Sequence, residues 1–111
     1  NIRGTDDNVL DGFRSFLIDD FSKKTDAEIK LWATKQAYIA LGNLLTVCAV
    51  EQIDACPMEG FVPDKYDAVL NLKTKGLSSV LVLPIGYRAE DDMFSTFKKV
   101  RKSITTNVIE Y

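Results

Sequence analysis

Histidine is absent from this sequence, and with it go the Ser-His and Cys-His nucleophile pairs and the commonest metal ligand. Cysteine is scarce: Cys48 and Cys56 stand eight apart with no others at ligand spacing, so no zinc site is expected. One falls inside a predicted helix and the other in the loop after it, which reads as two reduced thiols. Charge of one sign is also lacking. A net charge of -2 creates no global field to draw nucleic acid or an anionic membrane, so any anion site must be built locally. Long hydrophobic runs are missing too: the richest, 37–50, is broken by Gly42, Asn43 and Thr46 and is too short to span a bilayer. With no export signal visible, the expectation is a cytoplasmic protein without membrane or nucleic-acid partners.

What remains is an ordinary globular mixture of 46% apolar and 27% charged residues over 111 positions, enough for one domain. Thr5, followed by Asp6 and Asp7, has the form of a helix start, and Val9, Leu10, Phe13, Phe16, Leu17 and Phe21 then recur at spacings of three and four. A helix is predicted over 6–21. Thr25 and Glu28 form a capping box that opens a second helix over 26–52. Leu31, Trp32, Tyr38, Ile39, Leu41, Leu44, Leu45 and Val47 cover more than one of its faces, so it should be buried among several partners. Pro63 suits the first turn of a third helix, 63–72, with Gly76 as its stop.

The run Val80-Leu81-Val82-Leu83 within 78–85 predicts a strand buried on both faces. The one other candidate, 105–110, is too little to build a sheet around it. A strand without enough sheet and a helix without enough partners imply that further polypeptide completes this fold.

Three stretches have the make-up of a ligand site. Cys56-Pro57-Met58-Glu59-Gly60-Phe61 follows the long helix, and its proline and glycine would let the backbone N–H groups of Glu59 and Gly60 approach a flat ligand. A plain turn between helices has the same composition. Lys98-Lys99-Val100-Arg101-Lys102 places Lys99 and Arg101 on one side if extended, where they could clamp a phosphate; a solvated basic tail reads identically. In the long helix, Gln36 is the residue that core packing explains least, because a buried amide needs partners.

Taken in order, these stretches resemble the flavin-dependent nitroreductase family. The run Trp32 through Asn43 is similar to that family's long central helix, and Ile53 through Phe61 to its flavin-edge loop. Leu81 through Arg88 is similar to its late core strand, and Lys99-Val100-Arg101 to its phosphate-binding pair. The resemblance is strong over 26–102.

It implies an α+β fold in which a mixed sheet is flanked by helices, and a homodimer whose long central helices pack in the interface. The tail would cross to the partner as a strand over 105–110, and this chain would be the C-terminal half, completed by an N-terminal half. The implied activity is FMN-dependent NAD(P)H oxidation, reducing a small-molecule acceptor, a nitroaromatic or quinone, by ping-pong hydride transfer, with NADH or NADPH as co-substrate. Pro57, Met58, Glu59, Gly60, Lys99 and Arg101 would bind FMN, with Glu59 and Gly60 offering backbone N–H groups to N5 and O4. Gln36 and Tyr38 would border the substrate face, and no residue is assigned as catalytic acid, base or metal ligand. Two alternatives stand beside this: an inactive fragment, and a non-enzymatic helical interaction module.

Overall fold

Helix α1 (Asp7–Ser22) is capped by Asp6 rather than by Thr5: the Asp6 carboxylate accepts from the Asn8 N–H at 3.0 Å. The computed structural model describes residues 4–111, without the side chain of Asp7. The helix ends at a polar turn where Lys23 pairs with Asp19 and Lys24 with Asp20. Both pairs are solvent-exposed in part and add little to stability.

The capping box forms as its residues require, with Thr25 Oγ1 accepting from the Glu28 N–H at 3.3 Å and Glu28 Oε2 accepting from the Thr25 N–H at 2.8 Å. The Thr25 N–H foremost, and then the Thr25 hydroxyl, which also donates to Glu28 Oε2 at 2.8 Å, hold the Glu28 carboxyl below its ordinary range. Helix α2 (Asp26–Val50) is 25 residues long, about 37 Å. It stops at Val50, two residues short of expectation, because Gln52 turns left-handed (φ 56°). The Ile53 N–H then donates to the Cys48 carbonyl at 2.8 Å and the Gln52 N–H to Ala49 at 3.4 Å, a Schellman closure built without glycine. Phe21 packs edge-on against Trp32, with ring centroids 5.1 Å apart, and ties α1 to α2.

Helix α3 (Pro63–Val69) has proline in its first turn and closes in the same way, with Asn71 left-handed (φ 51°) and the Leu72 N–H donating to the Asp67 carbonyl at 2.9 Å. It is shorter than the 63–72 expected, and a 3₁₀ turn (Lys73–Lys75) follows, ending on left-handed Gly76. The buried Asp67 carboxylate accepts from the Ser79 hydroxyl at 2.7 Å and its N–H at 2.8 Å. These two bonds keep the Asp67 carboxyl below the usual range, and they anchor the start of the extended segment that follows α3.

That segment occupies the place of the expected strand over 78–85. Its central residues are half-buried, and it pairs with chain 54–58. Met58 and Val82 exchange backbone hydrogen bonds at 2.8 and 3.0 Å, Cys56 donates to the Pro84 carbonyl at 3.1 Å, and β1 (Asp54–Ala55) runs antiparallel to β2 (Ile85–Gly86). Where the resemblance implies a mixed sheet, the described residues form this two-stranded antiparallel piece. Leu81 and Leu83 face Ala37, Leu41 and Leu44 of α2 across a shared apolar seam. The tail differs from expectation: within the single chain, α4 (Ile104–Asn107) makes one helical turn where a strand over 105–110 was expected. The expected strand pairs with another subunit, and nothing among the described residues of this chain holds the segment extended.

The elements together enclose almost no core. Among the described residues only Cys48 (3% exposed) and Asp67 (5%) are buried, while Val9 (68%), Phe13 (61%) and Ile39 (60%) are open. The radius of gyration is 19.9 Å, against about 13 Å for a compact chain of this length. The accessible surface is 10208 Å², about 4,000 Å² above that of a folded chain of this mass. Obligate interfaces bury about 2,000 to 5,000 Å² counted over both partners, so this excess on one chain is more than one partner's usual share of such an interface. No helix among the described residues is long and apolar enough to cross a membrane.

Candidate functional site

The segment after β1 is held against β2 and α2, and this is what shapes the site. Backbone pairing fixes it at Cys56 and Met58. Beyond Met58, Phe61 donates its N–H to the Glu59 carbonyl at 2.9 Å, a tight turn at the tip. The backbone N–H groups of Glu59 and Gly60 make no backbone hydrogen bond among the described residues. A Cβ built on Gly60 would meet nothing within 4 Å, so the chain itself does not demand glycine there. Two unspent donors beside an open glycine suit the edge of a planar heterocycle.

Tyr38, on α2, secures the tip: its hydroxyl donates to Glu59 Oε1. That bond, followed by burial, pushes the Tyr38 phenol above its ordinary value. Tyr38, Leu41, Pro57, Met58, Glu59 and Leu81 line one cleft of about 350 Å³. Four of the expected site residues, Tyr38, Pro57, Met58 and Glu59, thus share one wall, with Gly60 next in the chain. Gln36 is exposed on α2 and lines neither this cleft nor the next.

A second cleft, of about 530 Å³, opens on the other side of Cys56. The Arg88 guanidinium grips the Asp54 carboxylate there with both arms, Nε to Oδ2 at 2.6 Å and Nη2 to Oδ1 at 2.9 Å. The Arg88 fork, with Lys99 adding a smaller pull, holds the Asp54 carboxyl below its ordinary range. Lys99 lines this cleft and Arg101 does not: the Arg101 Nη1 group donates to the neighbouring Val100 carbonyl at 2.8 Å. The two cations expected to act as a pair therefore do not converge within this chain. The Asp54–Arg88 fork and the Tyr38–Glu59 bond escape sequence reasoning because their partners lie 34 and 21 residues apart. Their one signal is that all four residues fall inside the stretches that carry the resemblance.

Comparison with known proteins decides the family, because the model of the nitroreductase family matches residues 9–87, from α1 through β2 and both walls of the first cleft. The chain belongs to the nitroreductase family. An oxygen-insensitive NAD(P)H nitroreductase of Salmonella typhimurium (strain LT2) is 37% identical to it over 79 residues, 71% of this chain and 36% of that protein. The nitroreductase of the same name from Enterobacter cloacae matches to the same extent. The chain thus spans little more than a third of the length of these relatives. Lys99 and Arg101 lie beyond the matched 9–87, so their role rests on chemistry and position. For this nitroreductase chain the α+β class follows from the family.

The Tyr38–Glu59 bond gives a direct test of how the tip is held. Tyr38→Phe and Glu59→Ala, made in the full-length protein, are expected to speed amide hydrogen exchange at the tip several-fold and by equal amounts. The double variant should do no more harm than either alone, as two partners of one bond require. Glu59→Gln keeps an acceptor for the Tyr38 hydroxyl and should exchange like the parent. Hydrogen exchange followed by mass spectrometry checks all four; additive effects would separate the two residues.

Proposed function

We propose that the complete protein is an FMN-dependent NAD(P)H oxidoreductase that reduces nitroaromatics or quinones, and that this chain supplies its flavin-edge loop and phosphate cations. The observation that carries the reading is the pair of unspent backbone N–H groups at Glu59 and Gly60, set beside Tyr38 in a nitroreductase chain.

When bound, FMN supplies the hydride-accepting and hydride-donating chemistry that side chains lack. The work of this chain is to hold and orient. The Glu59 and Gly60 N–H groups would donate to N5 and O4, and because they belong to the backbone their direction is set by the Met58–Val82 and Cys56–Pro84 bonds. Pro57 stiffens the approach to the tip, and Met58, which lines the same cleft, would give the ring an apolar neighbour. Lys99 would neutralise the phosphate from the second cleft, and Arg101 would join it by leaving the Val100 carbonyl. Gln36 and Tyr38 would border the face at which nicotinamide, NADH or NADPH, and acceptor arrive in turn.

The exposed faces of α1 and α2 favour an assembly in which the rest of the polypeptide and a second copy cover them, with α2 in the homodimer interface. Activity therefore belongs to that assembly and not to these residues in isolation.

Full-length protein purified without added cofactor is expected to show flavin absorbance, and steady-state NAD(P)H oxidation with a nitroaromatic acceptor should give the parallel lines of a ping-pong scheme. A colourless protein that does not take up FMN, or intersecting lines, would overturn the reading.

A further inference from the structure

The second cleft has four charged residues in its wall: Asp54, Asp92, Arg88 and Lys99. Arg88 holds Asp54 by two short bonds and stands 3.9 Å from Asp92 Oδ2, so one guanidinium faces both carboxylates. Lys99 shares the wall with them and hydrogen-bonds neither among the described residues. Charge in the wall is balanced, two cations against two carboxylates. Without Arg88, Lys99 would be the one cation left to two anions, and they would draw its ammonium inward.

From this geometry we propose that Arg88 is a positioning residue for Lys99: by occupying Asp54 with both arms it leaves the Lys99 ammonium free to receive a phosphate monoester. The inference rests on the reading that Lys99 takes the FMN phosphate, and it adds how that lysine is kept available. A fork suits the task better than a second lysine would, because it satisfies both Asp54 oxygens at once and is fixed by its planar geometry. The same fork ties the ends of β1 and β2 together, and a staple with no electrostatic role is the rival explanation.

The two are separated by titrating FMN and riboflavin, which differ by the phosphate, into full-length parent, Arg88→Ala, Asp54→Asn and the Asp54→Asn/Arg88→Ala double variant. Arg88→Ala is expected to weaken FMN roughly tenfold at low salt, with riboflavin unchanged and with the loss shrinking as ionic strength rises. Removing the Asp54 charge as well should restore FMN binding to near the parent's. Arg88→Lys, which keeps the charge and is the fallback if Arg88→Ala does not fold, should fall between parent and Arg88→Ala. A double variant as weak as Arg88→Ala, an equal loss for riboflavin, or no loss at all would overturn the proposal. Lys99→Ala, run alongside, tests the underlying reading separately: unchanged FMN affinity there would remove the phosphate from Lys99, whatever Arg88 does.

Discussion

Replacing Lys99 and Arg101 together by alanine is expected to weaken FMN binding by about 10²- to 10⁴-fold while leaving riboflavin binding intact. Each charge-assisted bond to a phosphate contributes about 1.5 to 3 kcal/mol, and every 1.4 kcal/mol is about tenfold in affinity. The two residues start from different places. Lys99 already lines the Asp54–Arg88 cleft, whereas Arg101 is turned onto the Val100 carbonyl and must give up that bond to engage. The single Lys99→Ala loss should therefore be the larger, with Arg101→Ala smaller by the affinity that its reorientation already costs. Equilibrium dialysis of the two flavins decides the matter. Equal losses for FMN and riboflavin would mean that the cations act on the fold and not on the phosphate.

The second large effect concerns the 111 residues by themselves. Expressed alone, they are expected to stay expanded, with a radius of gyration near 19.9 Å or above, and to unfold in urea without a cooperative transition. Burying a large apolar side chain contributes about 1.5 to 3 kcal/mol, while fixing one residue's backbone costs about 1 to 2 kcal/mol. A chain in which Cys48 is the one buried apolar residue among those described cannot offset that cost over its length. Scattering and a urea titration monitored by Trp32 test the expectation. A radius near 13 Å with a sharp transition would instead favour the self-sufficient interaction module.

Much of the helical frame was legible because its signals are local. The Thr25–Glu28 box, the proline at position 63 and the three-and-four spacing of α1 each act within a few residues, and each element begins within one residue of its signal. The helix ends were less so. Gln52 and Asn71 close α2 and α3 in left-handed conformations that glycine usually fills, and composition does not announce a glutamine there. Segment 78–85 read as a strand buried on both faces because a run of four apolar residues says that both are covered without saying by what. Among the described residues it meets 54–58, the α2 seam and, at its start, Asp67 of α3.

The site divides in the same way. The Pro57–Gly60 turn could be read from its residue types, and the structure adds that the Glu59 carboxylate accepts from the Tyr38 hydroxyl. The Asp54–Arg88 fork could not be read, since nothing local to either residue names the other. Sequence spacing paired Lys99 with Arg101, but alternation along an extended strand presumes a strand, and residues 98–102 form none here.

The most direct test of the flavin-edge reading is a proton–nitrogen NMR titration of the full-length protein with FMN, following the amides of Glu59 and Gly60. If their N–H groups hold the ring edge, both signals move downfield on binding, and riboflavin at saturation moves them equally. If both amides stay where they are while FMN binds, the loop does not hold the flavin and the proposed role of this chain is wrong.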